Sequence, residues 1–500
     1  MRMAPLLNRR RFLAGSAALI GAMGMGSGYA GAQASGSDLS KLLPFDLLPA
    51  ETLRKGPPVL AHWHLFPISF DNVAAPNDSY GLQYMHPDGL GGAYRDSGGM
   101  FLERPLPRAP IIDERWLVED MATDGRWAQA IGIDAFQFNI MWADDNTPSW
   151  RYMIAMQEAI WRMKLSIKLM VNFDCSTKAT PFLMKRYATL VTAARARGGL
   201  MSAPDGRLYI GGFMAESWPV DMWKLLVQEF RERGIEVSLV LMFLDLKAAT
   251  PDYLAITDVV SCWGGNNLGA VAGLVRYGES IRADGKKWMQ PVFLQDCRPK
   301  EKWYAEAGGS EVFRAGWMAA MRTNAEMADI LTWNDYSESS EMRPSTGVQY
   351  GFYDIAAYYI AWYKTGTPPP IVRDVLYYFH RVEPSWGADL GAKQKQPMRM
   401  RYGPGPRDEI ELVAFLTQPG TLQIETSAGT TERQVDAGVQ LLRAPIAPGR
   451  PRFRLIRDGT TVIDLESAFN VRTASDYQDL LYRAGSSTRA PVAALAPGRS

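Results

Sequence analysis

From Val59 onward, short runs of apolar, β-branched or aromatic residues recur along this chain, and most are followed by a stretch with helical periodicity. That alternation confines the chain to βαβ units and a parallel sheet, because each helix carries the chain back to the edge where the next strand starts. The runs are Val59–His64, Ile133–Ile140, Ser166–Asp174, Arg207–Glu216, Val237–Leu244, Asp258–Gly264, Trp288–Asp296 and Ala328–Asp335. Eight repeats over roughly three hundred residues predict an α/β fold of the (β/α)8 TIM-barrel type, spanning 55–382.

Within the third run, Lys168, Met170, Asn172 and Asp174 fall on one face and Leu169, Val171 and Phe173 on the other. The apolar set belongs under the helices and the polar set points into the barrel mouth. The helix that follows should start at Thr180 with Pro181 in its first turn and stop at Gly198; Asp221–Arg233 should stop the same way at Gly234.

The long stretch from His64 to Asp113 has no period; following the first strand, it reads as a wall of the substrate cleft. After the eighth run, Tyr353–Lys364 reads as a helix, and Asp374–Arg381 as the finish of the barrel. Beyond Gly403-Pro404-Gly405-Pro406 the runs shorten: Glu409–Leu416, Thr421–Glu425, Gln434–Val439, Gln440–Arg443, Arg452–Arg457 and Thr461–Asp464. They predict a small C-terminal β-sandwich at 405–475, and the Ser/Ala/Pro-rich residues 484–500 a disordered tail.

Residues 1–34 read as a targeting segment rather than part of the fold. Asn8-Arg9-Arg10-Arg11-Phe12-Leu13 resembles a twin-arginine signal, the apolar run Ala14–Met25 is short for a membrane span, and Ala30-Gly31-Ala32 or Ala32-Gln33-Ala34 suits cleavage. An uncleaved anchor is the competing reading. Export to the periplasm or beyond is expected, with no membrane span in the mature chain. Cys175, Cys262 and Cys297 have neither metal spacing nor an even count, so they read as buried small residues, with a Cys262–Cys297 pair as the alternative. With 54 basic and 53 acidic side chains, the net charge of +1 gives no field to gather nucleic acid. Nothing in the sequence sets an oligomeric state.

Barrel enzymes carry their reactive groups where strands end and βα loops begin. The end of the eighth run delivers two acids, Asp335 and Glu338, among Trp333, Asn334 and Tyr336. A pair of carboxyls is what cleavage of a glycosidic bond needs: an acid protonates the leaving oxygen, and a carboxylate activates water or attacks carbon. In extended chain three residues span on the order of 10 Å, which would put the carboxyls about 6.5–9.5 Å apart, the separation that admits a water and inverts the sugar. The plainer alternative is a turn cap at Asp335 and a solvated Glu338. Asn139, Asn172, Asp174, Glu216, Trp263 and Asp296 are candidate substrate-binding groups, as are Trp333, Asn334 and Tyr336; Asp245 and Gln295 also end strands. His62-Trp63-His64 raises a metal-dependent hydrolase, which needs further histidines from middle strands. The others are His86 in the long loop and His380 past the eighth helix, so no metal and no cofactor is expected, and His62 and His64 become substrate-binding candidates.

Thr332-Trp333-Asn334-Asp335-Tyr336-Ser337-Glu338-Ser339 resembles the signature of glycoside hydrolase family 71, the α-1,3-glucanases or mutanases. Ala61-His62, Gly132-Ile133-Asp134-Ala135-Phe136, the segment Lys168–Asp174 and Tyr358–Arg381 extend the resemblance to about residues 55–470. It implies an inverting enzyme with a barrel and an appended β-sandwich, catalytic positions at Asp335 and Glu338, Glu338 as general acid, Asp335 as general base, and a polysaccharide substrate. The chain departs from the pattern at Ser337, where Gly is usual, and at Ser340-Glu341, where His-Tyr is usual. Those departures put linkage and chain-length preference in question and leave two alternatives: a glycan-binding barrel without catalysis, and a hydrolase of another bacterial exopolysaccharide.

Overall fold

The computed structural model of the chain describes residues 36–385, 389–391 and 393–492. The expected leader and residues 493–500 of the expected tail lie outside them. Eight parallel strands close into a barrel in chain order: Val59–Trp63, Ala135–Ile140, Lys168–Asp174, Leu208–Phe213, Val237–Phe243, Val259–Cys262, Lys287–Phe293 and Met327–Leu331. The eighth closes on the first, with Val59 opposite Ala328 and Ala61 opposite Ile330. The strands are followed in turn by helices Trp116–Ala130, Pro148–Met163, Pro181–Arg197, Val220–Arg231, Pro251–Ile256, Leu268–Ala283, Glu311–Arg322 and Gly351–Thr365.

Local chemistry sets these boundaries. Thr180 caps the third of these helices by accepting the Leu183 amide at 3.2 Å, and Gly198 ends it at φ 84°, a conformation that costs a residue with a Cβ. On the third strand Phe173 packs outward on Tyr187 of that helix, ring centroids 4.2 Å apart, while Asn172 turns inward toward Asn139. Cys175, Cys262 and Cys297 are buried and free, so the Cys262–Cys297 pair does not form. No described helix is long and apolar enough to cross a membrane.

Several expectations change. The fourth, seventh and eighth strands stop at Phe213, Phe293 and Leu331, short of Glu216, Asp296 and Asp335. After Leu331 the Thr332 amide turns to the Ser340 carbonyl at 2.8 Å and the Thr332 carbonyl takes the Met342 amide at 2.9 Å, so the chain folds back on itself. The acids therefore sit in βα loops. Val375–His380 does not finish the barrel, which the eighth strand has already closed; it pairs antiparallel with Glu409–Leu416 and Arg483–Ser486. Residues 484–492, expected in a tail, are held by that pairing and by the Val492 amide on Gln349 at 2.9 Å.

Two four-stranded antiparallel sheets follow the barrel: Gly438–Pro445, Glu409–Leu416, Val375–His380 and Arg483–Ser486 in one, and Gly429–Val435, Gly420–Thr426, Arg452–Arg457 and Thr460–Glu466 in the other. The period of two in Val375–His380 joins them to the barrel. Val375, Tyr377 and Phe379 share the barrel's core, where Phe379 meets Phe352 at 5.0 Å; Leu376 and Tyr378 share a second core with Ile424 and Leu455, where Tyr378 stacks on Phe453 at 5.0 Å. Each such buried ring contributes on the order of 1.5–3 kcal/mol. The strand expected at Gln434–Val439 is instead Gly429–Val435, an edge strand whose mostly exposed polar residues carry no apolar period.

Candidate active site

Thr332 opens the loop after the eighth strand. Its hydroxyl accepts the Asp335 amide at 2.8 Å, and residues 336–339 form a turn in which the Asp335 carbonyl faces the Glu338 and Ser340 amides at 3.4 and 3.2 Å. The extended spacing behind the estimate of carboxyl separation is thus absent. Asp335 is 3% exposed; its Oδ1 takes the Ser337 amide at 2.9 Å, and Oδ2 lies 4.0 Å from His64 Nδ1.

The loop after the seventh strand meets this turn. The Cys297 amide donates to the Glu338 carbonyl at 2.8 Å. Arg298 grips Asp296 with Nε and Nη2 at 2.7 and 2.8 Å, lies over Trp303 at 4.5 Å, and reaches Glu338 Oε1 with Nη1 at 2.7 Å. Glu338 Oε2 is buried and has no partner among the described residues.

The two carboxyls answer this setting in opposite directions. Burial pushes the Asp335 carboxyl up, but His64, Lys300, the Ser337 hydrogen bond and Arg298 together hold it below the usual carboxylate range. Burial, reinforced by the negative charges of Asp335 and Asp296, drives Glu338 well above that range, with Arg298 and Lys300 opposing the rise. One acid ionised and one protonated, three residues apart, is the division of labour that acid–base catalysis requires.

The other expected residues divide by burial. Trp263 remains partly exposed, edge-on to His62 and Phe213, each at 4.8 Å. His62 is 1% exposed, and burial, then His64, lowers its pKa to about 3, so it is a neutral ring inside the barrel. Asn139 and Asn172 face each other within the barrel at 3.5 Å.

Trp333, Asn334 and Tyr336, expected to bind substrate, are fully buried and paired with other groups of the protein. Trp333 packs on Phe136; Asn334 takes the His64 amide at 2.6 Å and donates to the carbonyls of His64 and Phe66 at 3.0 and 2.8 Å. Tyr336 accepts Arg343 Nε at 3.1 Å and packs into the aromatic cluster of the long first loop, with Phe66, Tyr80 and Phe101. That loop, expected as a cleft wall, packs against the site turn through these residues.

Asp296 is committed to Arg298, and Gln295 to both backbone groups of Tyr482 at 3.0 and 3.2 Å. Asp174 caps the Ser176 amide at 3.0 Å, Glu216 caps the Leu244 and Asp245 amides at 3.0 and 3.1 Å, and Asp245 caps Lys247 at 3.0 Å. Among the described residues, no hydrogen bond or ion pair joins Asp174 or Glu216 to Asp335 or Glu338. His86 accepts the Asp88 amide in the long loop, and His380 lies in the C-terminal sheet, so neither reaches His62 or His64 in such a bond. Arg298 and Lys300 were missed by sequence reasoning; the signal was present in Asp296-Cys297-Arg298-Pro299-Lys300, two cations directly after an acid at a strand end.

A closed parallel barrel with an acid pair in the loop after its eighth strand holds the groups that cleavage of a glycosidic bond needs. The sequence model of glycosyl hydrolase family 71 matches residues 111–484, and the chain belongs to that family of glycoside hydrolases. It is 24% identical over 395 residues to a mutanase of Penicillium rubens, covering 72% of this chain and 83% of that one. It is 23% identical over 400 residues to an ascus wall endo-1,3-alpha-glucanase of Schizosaccharomyces pombe, covering 69% and 87%. A GH99 endo-alpha-mannosidase structure from Bacteroides thetaiotaomicron aligns at 11% identity with a TM-score of 0.47, over 61% of this chain and 97% of that one.

Proposed function

We propose that the protein hydrolyses α-1,3-glucan or a closely related α-glucan with inversion at the anomeric carbon, Glu338 serving as general acid and Asp335 as general base, without a cofactor. The observation that carries this reading is a pair of carboxyls on one turn after the eighth strand, Asp335 beside His64 and the Ser337 amide and Glu338 beside Arg298, surroundings that drive their proton affinities apart. Glu338 gives its proton to the glycosidic oxygen as the C1–O bond breaks; water adds to C1 and yields its proton to Asp335. The substrate follows from the names of the two relatives, and inversion from the resemblance carried by the motif. Trp263 offers its ring to a sugar face.

Reducing-end release from a panel of α-1,3-, α-1,4- and β-linked glucans tests the substrate, with cleavage of the α-1,3 polymer expected. Release from the β-linked members alone would overturn it. Proton NMR of the first-released anomer tests the mechanism, and a retained α-anomer ends it.

A second reading, a hydrolase of another exopolysaccharide, is favoured by Ser337 and by the buried Ser340 and Glu341 beside the pair. The same panel separates the two. Binding without release from any member would favour the glycan-binding barrel. We further propose that the two C-terminal sheets form a β-sandwich that braces the barrel, and that a bacterial cell exports the protein through its twin-arginine motif. Retention of an Arg9→Lys/Arg10→Lys variant in the cytoplasm would bear the export out; unchanged export would refute it.

A further inference from the structure

The two carboxyl oxygens of Glu338 have unequal surroundings. Oε1 is ion-paired with Arg298 Nη1 at 2.7 Å, whereas Oε2 is buried and has no partner among the described residues. The guanidinium is itself fixed. Both Asp296 oxygens hold its Nε and Nη2 edge, its plane lies on Trp303, and the Cys297 amide ties the same loop to the Glu338 carbonyl.

An arginine bound on one edge by a carboxylate holds its remaining N–H groups in set directions, unlike a lysine ammonium, which swivels. A guanidinium only donates, so the oxygen it occupies must act as an acceptor; when the carboxyl is neutral, its proton resides on the other oxygen. We propose that Arg298, oriented by Asp296, is the positioning residue of the general acid: by occupying Glu338 Oε1 it leaves Oε2 to carry the proton to the glycosidic oxygen. The proton moves from Oε2 to the leaving oxygen, the C1–O pair goes to that oxygen, and the resulting carboxylate is met by the guanidinium already in place. This rests on Glu338 being the acid.

The charged groups facing Glu338 are Asp335 on its own turn, with His64 behind it from the first strand's loop, and Asp296, Arg298 and Lys300 on the seventh strand's loop, where Glu301 lies 3.9 Å from Arg298. Removing a cation from this set makes Glu338 hold its proton to higher pH; removing an anion does the reverse. The test is the pH profile of kcat/KM for Arg298→Gln, Arg298→Lys and Asp296→Asn on glucan, with each variant and Glu338→Gln also assayed on an α-1,3-gluco-oligosaccharyl fluoride. Its leaving group departs without protonation.

For Arg298→Gln the alkaline limb should rise by about one pH unit, with the acidic limb following in the same direction because Arg298 also lowers Asp335. Turnover of glucan should fall while fluoride turnover stays near wild type. Arg298→Lys should keep the limb in place, and Asp296→Asn should move it down. An unmoved limb in Arg298→Gln, or equal losses on both substrates, overturns the role of Arg298. Should Glu338→Gln be rescued by fluoride while Arg298→Gln is not, this proposal alone fails; a Glu338→Gln variant that fluoride does not rescue removes the acid assignment and this proposal with it.

Discussion

At the end of the third barrel strand and in the loop after the fourth, Asp174 and Glu216 each use one carboxyl oxygen to accept backbone amides of their own or neighbouring loops. Beyond the seventh and eighth strands, Asp335 and Glu338 share one turn with each other and face His64, Asp296, Arg298 and Lys300. Both halves of the mouth present the same residue types after the same strand–loop junction. Position at a strand end does not make an acid reactive; crowding it with other charges out of water does, because each neighbour then shifts the balance between its charged and neutral forms.

The sharpest way to break that contrast is to neutralise one acid in the crowded half. Asp335→Asn and Glu338→Gln should each lower kcat on glucan by about a thousandfold, with circular dichroism unchanged; a near-normal rate in either removes that residue from the chemistry. Next in size is a loss of stability rather than rate. Asn334→Ala strips partners from the His64 amide and from the His64 and Phe66 carbonyls, and should cost about 3 kcal/mol in chemical denaturation. A loss below about 1 kcal/mol would mean that the loop re-pairs those groups elsewhere.

The pH profile sharpens the comparison further. Activity needs Asp335 ionised and Glu338 protonated. Since Asp335 is held low and Glu338 is driven high, the acidic limb of kcat/KM should lie below the ordinary carboxylate range and the alkaline limb above it. Limbs lying both within that range would contradict the asymmetry. The smallest effect belongs to the quiet half: Asp174→Asn keeps an oxygen for the Ser176 amide and should change kcat by no more than about threefold, under about 1 kcal/mol. A hundredfold loss there would erase the distinction between the halves.

Much of the frame was legible in the chain because strand and helix periods are local. Phe173 and Asn172 alternate as the pattern predicts, and Thr180 and Gly198 bound their helix as their side-chain chemistry dictates. Legibility failed where burial is not local. Trp333, Asn334 and Tyr336 look in sequence like a sugar-binding surround, yet they are fully buried, because the first loop supplies an aromatic cluster and two backbone carbonyls that need them. Asp374–Arg381 read as the finish of the barrel. Within it Val375–His380 forms a strand, and only the closed register of the eight barrel strands reveals that it has no barrel edge to join.

The sequence by itself determined that Asp335 and Glu338 lie together after the last strand of a parallel barrel, since the order of βα units and a three-residue spacing are properties of the chain. Tertiary structure alone decided which of the two would hold a proton. That depends on burial first and then on His64, Asp296, Arg298 and Lys300, brought in from loops of the first and seventh strands; burial is set by the whole fold, and electrostatic interaction falls with distance in space, not with separation along the chain.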